Sequence, residues 1–420
     1  MTYSHYGWSV DGPLPVLENH SRAKHEILRG YLAAYVQTLL SNPNRGQFSL
    51  TLVDGFCGGG LYQGEKPGSP LSMLEALREA EALVNTGRQK PIRFEVDYFF
   101  IDADPGATGL LTKVLKARGY EPRIGKDIHV WNAPFDSKAD QLIEHIKRRM
   151  PRSGRAIFLL DQYGYSEVPT EIIRRIMKQM PSAEVILTFN VASLLTYISD
   201  KKGQAEAMLS SAGTPDSLKG RSITNIKLNE GDWRLFIQAC MCPELVRNCG
   251  APFYTLFFIR SEQGHGDYWL VHFSQHARAR DVMTRIHWEK SNFFIHYGGA
   301  GLDMFEGLGY AASLDANVTD PNQSRLGFEF GEREREDSIK ALMEQIPRLV
   351  YSAPEEAVVF GEMFATHCNM SPAHAELHRE AIARLRNERQ VEVVRDRRVT
   401  ASKIQDGDLI RRPIQTSMKW

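Results

Sequence analysis

An α/β fold, with a mostly parallel sheet covered by helices on both faces, is what this sequence predicts. Three observations carry that expectation. Short runs that are apolar on both faces recur along the first two thirds of the chain. Helical patterns lie between the earlier runs, and the runs end in acids or glycines. Strands buried on both faces belong to parallel sheets, where crossover helices cover each side.

The elements follow in order. Residues 18–41 place Ile27, Leu28, Tyr31, Leu32, Tyr35, Val36 and Leu39 at helical spacing, which predicts an amphipathic helix starting near Asn19 or Ser21. Runs at 49–56, 94–105, 127–132, 155–164 and 183–190 read as strands, with helices expected over 69–84, 106–118, 137–149 and 168–179. Two later runs, 252–260 and 267–274, are separated by only six residues, too few for a parallel crossover, so an antiparallel hairpin at one sheet edge is expected. The long interval 192–250 reads as an inserted helical subdomain. The charged stretch 331–347 reads as a helix with a solvated face.

Composition narrows the class. Hydrophobic residues at 42% and charged residues at 24% describe a folded chain, and 420 residues imply more than one domain. No run reaches the ~18–20 apolar residues of a membrane span. The first residues lack a secretory pattern, and five cysteines are too few for a disulfide framework, so a cytoplasmic location is expected. Lys plus Arg equals Asp plus Glu at 51 each, so any nucleic-acid contact must be a local patch.

The last seventy residues change character. Helices are expected over 353–368 and 371–390, the second with Ser371 as N-cap and Pro372 in its first turn, followed by a β-ribbon. Helix, turn, helix, ribbon is the order of a winged helix-turn-helix. Residues 381–420 hold ten Lys or Arg against five Asp or Glu, and Arg395, Arg397 and Arg398 stand on the ribbon as candidate phosphate contacts. A protein contact, a self-contact or plain solvation remain alternatives for this patch. The expected division is a helical lead (1–48), a Rossmann-like domain (49–300), a connecting helical segment (301–350) and the winged helix (351–420).

The most informative segment is Asp54-Gly55-Phe56-Cys57-Gly58-Gly59-Gly60. A strand running into a glycine cluster lets backbone approach a ligand closely, and the first strand end of a doubly wound sheet is where nucleotide-like ligands lie. The dinucleotide pattern G-x-G-x-x-G fails because Gln63 stands where the third glycine would be. The D-x-F-x-G-x-G reading resembles motif I of class I S-adenosylmethionine-dependent methyltransferases. The cofactor-binding candidates are Asp54, Gly55, Phe56, Gly58 and Gly60. Asp102, 48 residues after Asp54, is placed to accept ribose hydroxyls, and Phe135 to wall the adenine. Asp161 and Tyr163, at the fourth strand end, are the catalytic candidates: an acid to orient a nucleophile and an aromatic to stack on a planar acceptor. The amino-methyltransferase signature lacks both its prolines here, with Gln162 in place of one.

Several motifs together resemble the three-Cys-motif partner protein (TcmP) family. They are Ala23-Lys24-His25-Glu26-Ile27-Leu28 with Tyr31-Leu32, the glycine block, Gly68-Ser69-Pro70, Asp161-Gln162-Tyr163-Gly164 and Tyr268-Trp269-Leu270. The resemblance implies a Rossmann-type methyltransferase fold with a winged helix, S-adenosylmethionine as cofactor, and a radical-type three-cysteine-motif protein as partner. It also links the chain to nucleic-acid modification or phage-related systems. Cys57 and Gln162 depart from the family pattern, so a non-catalytic scaffold that binds a partner protein or nucleic acid stands as the alternative.

Other constellations weigh less. Cys240, Cys242 and Cys249 lack zinc-ribbon spacing, His272, His276 and His287 are scattered, and no metal site is expected. Gly298–Asp303 reads as a loop able to close over a substrate. No G-x-S-x-G occurs, which argues against serine-hydrolase chemistry.

Overall fold

A computed structural model of the chain describes residues 7–41, 46–229, 233–260, 267–290, 294–296, 300–302, 326–328 and 330–414. The 261–266 turn and residues 298, 299 and 303 of the expected 298–303 loop lie outside them.

The chain divides into two compact units, Met1–Ile286 and His287–Trp420. In the first, α1 (Asn19–Leu39) leads into β1 (Gln47–Asp54) and α2 (Ser69–Asn85). Then come β2 (Arg93–Asp102), α3 (Pro105–Ala117), β3 (Ile128–Asn132), α4 (Phe135–Arg149), β4 (Ala156–Asp161), α5 (Thr170–Gln179) and β5 (Ala183–Phe189). Four helices fill the long interval: α6 (Val191–Tyr197), α7 (Gln204–Ser211), α8 (Ile223–Asn229) and α9 (Trp233–Cys249). Strands β6 (Phe253–Arg260) and β7 (Asp267–Ser274) and helix α10 (Ala277–Glu289) follow.

Among the described residues the main sheet has seven strands in the order β3-β2-β1-β4-β5-β7-β6. The first five are parallel, and β7 runs antiparallel to both neighbours. The expected hairpin therefore exists, but its second strand is inserted between β5 and β6. This order, reversing direction from β1 outward, is the Rossmann-like sheet of class I methyltransferases. Its topological switch lies between β1 and β4, so crossovers leave a crevice at the carboxyl ends of the central strands. Register brings Asp54, Asp102, Asn132, Asp161 and Thr188 to that one edge: Asp54 pairs with Phe100 and Leu159, Asp102 with Asn132, and Asp161 with Thr188.

Helix α1 packs because its apolar stripe is continuous. Tyr31, Leu32 and Val36 are fully buried in the core that also holds Phe48, Leu50 and Leu52 of β1, and each such side chain contributes roughly 1.5–3 kcal/mol. Arg29 ties α1 to α2 through Glu75 and Glu79.

The second unit contains β8 (Phe294–His296), β9 (Leu326–Phe328), α11 (Glu332–Ser352), β10 (Ala357–Val359), α12 (Phe360–His367), α13 (Ala375–Asn387), β11 (Glu392–Arg395), β12 (Arg398–Val399) and β13 (Leu409–Arg411). Two differences from expectation have local causes. The segment 353–368 is not one helix, because Val358 and Val359 pair with β13 and leave only α12 helical. Helix α13 starts at Ala375, not at Pro372. The Ser371 hydroxyl closes a turn onto the Ala373 amide, and the Pro372 carbonyl accepts the Trp288 indole N–H. Helix α11 keeps the expected solvated face and buries Ile339, Leu342, Ile346 and Val350 along the opposite one.

Candidate functional site

The glycine loop is built around Asp54, which is fully buried at the end of β1. Its Oδ1 accepts the Phe56 amide at 3.3 Å, and the neighbouring Ser69 hydroxyl also favours its charged form. Oδ2 is buried with no partner. Burial outweighs both effects and lifts Asp54 to about 7. Gly55 is a glycine for packing: a methyl group there would lie 2.8 Å from Leu160 and 2.9 Å from Phe135. Gly58 and Gly60 hold positive φ, +58° and +76°. The amide of Cys57 donates to Ile101, stitching the loop to β2. The Gly68-Ser69-Pro70 motif closes it from the other side. Gly68 donates to the Gly60 carbonyl at 2.8 Å, at an approach a side chain would obstruct, while Pro70 lies in the first turn of α2.

Asp102 faces this loop. One carboxylate oxygen accepts the Gly58 amide and the other the Asp104 amide, each at 2.9 Å. The side chain is half-buried, and burial raises its pKa against the pull of those two amides. A carboxylate has about four acceptor positions, so Asp102 retains capacity for hydroxyl donors. Positive-φ glycines beside an acid with acceptor capacity left fit a polar ligand with a ribose-like diol.

Phe135 is placed differently from expectation. It is 2% exposed, with its ring beneath Gly55 and near Phe158, so it supports the loop from below and does not wall an open pocket. Asn132 instead braces the strand ends through the carbonyls of Asp102 and Ala103.

Asp161 ends β4 and meets a residue that motif reading left without a role. Lys24 of α1 places its ammonium 2.6 Å from both carboxylate oxygens. Burial alone would raise Asp161, but Lys24, followed by Thr188, holds it below the usual carboxylate range. The same ammonium sits 5.7 Å from the centre of the Tyr268 ring, which stacks on His20. His25 follows on α1; burial, then the Lys24 charge, hold its imidazole down at about 4, and its Nδ1 is buried without a partner. The Lys24-His25 pair stood in the α1 motif, but its partner lies 137 residues away, and no local pattern marks that pairing.

Gln162, in place of a proline, braces the loop after β4. Its side-chain oxygen accepts the amides of Glu167 and Val168, both at 3.0 Å. Glu167 in turn accepts the Tyr163 amide. Tyr163 is 40% exposed at the same sheet edge as Asp161.

In the winged helix, Arg395 forks onto Asp408, itself 1% exposed, at 2.7 Å through two nitrogens, and also donates to the Lys403 carbonyl. Its guanidinium is therefore already engaged within the unit, with the side chain 27% exposed. Arg397 and Arg398 are exposed at the turn between β11 and β12, where Asp396 and Arg397 take positive φ. Cys242 and Cys249 are buried free thiols, and burial pushes Cys242 up to about 12. His272 pairs with the buried Glu184, which also accepts the Tyr31 hydroxyl. No group of His, Cys, Asp and Glu suited to a metal occurs among the described residues. No helix among them is long and apolar enough to cross a membrane.

Residues 316–397 match the family model of the GMT-like wHTH domain. No curated protein matches the chain in sequence. Among solved structures it is similar to the human methyltransferase 10 domain containing protein (11% identity, 65% of this chain and 91% of that one, TM-score 0.26). It is also similar to a putative O-methyltransferase from Klebsiella pneumoniae (11%, 61% and 90%, TM-score 0.28) and to the bifunctional kinase-methyltransferase WbdD (9%, 93% and 76%, TM-score 0.34). With TM-scores this low, the fold assignment rests on the strand order itself. The chain thus combines a sheet with the methyltransferase-type strand order and a C-terminal winged helix.

Proposed function

We propose that this chain is an S-adenosylmethionine-dependent methyltransferase, acting on or with nucleic acid or a nucleotide-derived substrate. In this reading, which draws on the TcmP resemblance, it works together with a three-cysteine-motif partner. The observation that carries the reading is the Gly58 amide held by Asp102 at the switch point of a methyltransferase-type sheet. When bound, the cofactor supplies an electrophilic methyl group on a sulfonium. Gly58 and Gly60 would let backbone approach its amino-acid end, and Asp102 would accept its ribose hydroxyls. Asp54, Gly55 and Phe135 keep the loop in shape from beneath, with Phe56 beside them. Asp161 would orient the acceptor and Tyr163 stack on it; alignment of donor and acceptor supplies much of the acceleration in such a transfer. Arg397 and Arg398 are the proposed nucleic-acid contacts of the winged helix.

A second reading, a scaffold without turnover, is favoured by one contact. Lys24 occupies both oxygens of Asp161, the group assigned to the acceptor. Incubation with donor labelled in its methyl group, together with DNA, RNA or free nucleotides, separates the two. The enzyme reading expects label in one of these fractions and its loss in Asp161→Ala. Binding of the donor with no label in any fraction supports the scaffold.

A further inference from the structure

Residues 8–17 cross the glycine loop as a strap. The Trp8 indole lies on Gly58 and Gly59. A methyl group on Gly58 would stand 3.0 Å from its ring, and one on Gly59 would overlap the ring on one side and stand 2.7 Å from Leu110 on the other. A methyl group on Gly106, in the first turn of α3, would overlap the Trp8 carbonyl, and one on Gly109 would stand 3.1 Å from Val10. The indole meets Tyr62 edge-on at 5.2 Å. The strap is held along its length: Lys113 donates to the Val10 carbonyl and pairs with Asp11, the Gln63 amide donates to Pro15, and Leu17 is buried.

The three consecutive glycines therefore answer to different demands. Gly58 and Gly60 take left-handed backbone, whereas Gly59 does not, and what excludes a side chain at Gly59 is Trp8 and Leu110. A glycine run is also the most flexible stretch a chain can hold, and ordering it opposes ligand binding.

We propose that Trp8 is a positioning residue of the cofactor site, clamping Gly58–Gly60 so that the Gly58 amide stays on Asp102 before any ligand arrives. The proposal rests on the methyl-donor reading of the same loop. It implies that the strap belongs to the site and is not a dispensable lead into α1.

Calorimetry on the intact chain tests it, with S-adenosylmethionine and S-adenosylhomocysteine as probes and each variant kept well below its melting midpoint. Trp8→Ala and Gly59→Ala should each weaken both probes about tenfold. Trp8→Phe should keep most of the affinity, and the double variant should bind no worse than the weaker single, because both changes remove one contact. Trp8→Ala binding as tightly as the unaltered chain, or more tightly because the indole had merely covered the loop, overturns the proposal. If the unaltered chain binds neither probe, the methyl-donor reading fails by itself. Hydrogen exchange at the Gly58 amide then decides the clamp: faster exchange in Trp8→Ala supports it, and unchanged exchange overturns it.

Discussion

Around the glycine loop, acids are left with acceptor capacity that nothing in the chain uses. Asp54 buries an oxygen with no partner, and Asp102 takes a single amide on each oxygen. In the winged helix most of the arginines are paired: Arg395 with Asp408, Arg384 with Glu336 and Glu380, Arg379 with Glu376 and Asp406, and Arg411 with Glu392, although the Nε of Arg379 is buried without a partner and Arg397 and Arg398 stay exposed. Buried polar groups cost stability unless satisfied, so the arginine pairs of the second unit serve its folding, while the spare acceptor positions of Asp102 are where a ligand can add hydrogen bonds. The comparison also shows what a window count of charge misses. Glu336, Glu376 and Glu380 lie outside 381–420, so the basic surplus there overstates the cations facing solvent.

The largest expected effect tests the unsatisfied side. Asp54 is held at about 7 when folded against 3.8 as an ordinary carboxyl. Its protonated form thus favours the folded state, and that contribution is fully present below pH 4 and lost as pH rises through 7. Asp54→Asn should gain stability over the unaltered chain across pH 4–8, by up to about 4 kcal/mol. A constant difference in melting midpoint between the two proteins over that range would contradict the burial of an ionisable Asp54.

Next in size is Lys24→Met, which leaves Asp161 without its cation. A cost of about 2–3 kcal/mol in chemical denaturation is expected, the partial exposure of Asp161 moderating it. Asp161→Asn in the same chain should restore part of the loss, and an additive double variant would break the pairing. Gly60→Ala combines a left-handed backbone with a methyl group 2.5 Å from Leu111 and should cost about 2 kcal/mol. Gly64→Ala, at φ +69° but with open space, should cost less; equal losses would make the glycine loop an ordinary turn.

The smallest effects lie in the winged helix. Arg397→Glu with Arg398→Glu should shift stability by no more than about 0.5 kcal/mol. If the ribbon binds nucleic acid, the same change should weaken retention and lower its salt slope by about 2. Arg395→Ala should instead lower the melting midpoint, because Asp408 loses its partner. A pair of outcomes reversed between Arg395 and Arg397 would undo the contrast drawn above.

Strands and helices of the sheet were legible because each central strand is apolar on both faces and each crossover helix keeps one stripe. The glycine block and Asp102 were legible because they sit at strand ends, where the topology fixes their height. What escaped depends on distant chain. Lys24 meets Asp161 only after folding, and Gly59 reads as one more loop glycine until Trp8 is placed on it. Phe135 looks like a ligand wall in sequence, yet its ring packs under Gly55, where the absence of a Cβ leaves it room. Helix α13 starts later than Ser371-Pro372 suggests because the Ser371 hydroxyl closes a turn, and a serine hydroxyl suits either use.

The most direct measurement is a titration of the intact chain with S-adenosylmethionine, set beside Asp102→Ala. Saturable one-to-one binding is expected, weakened about thirtyfold by the substitution, as befits hydrogen bonds to a charged acceptor. Absence of binding at millimolar donor, or equal affinity in the two proteins, would contradict a nucleoside held by Asp102 at the glycine loop.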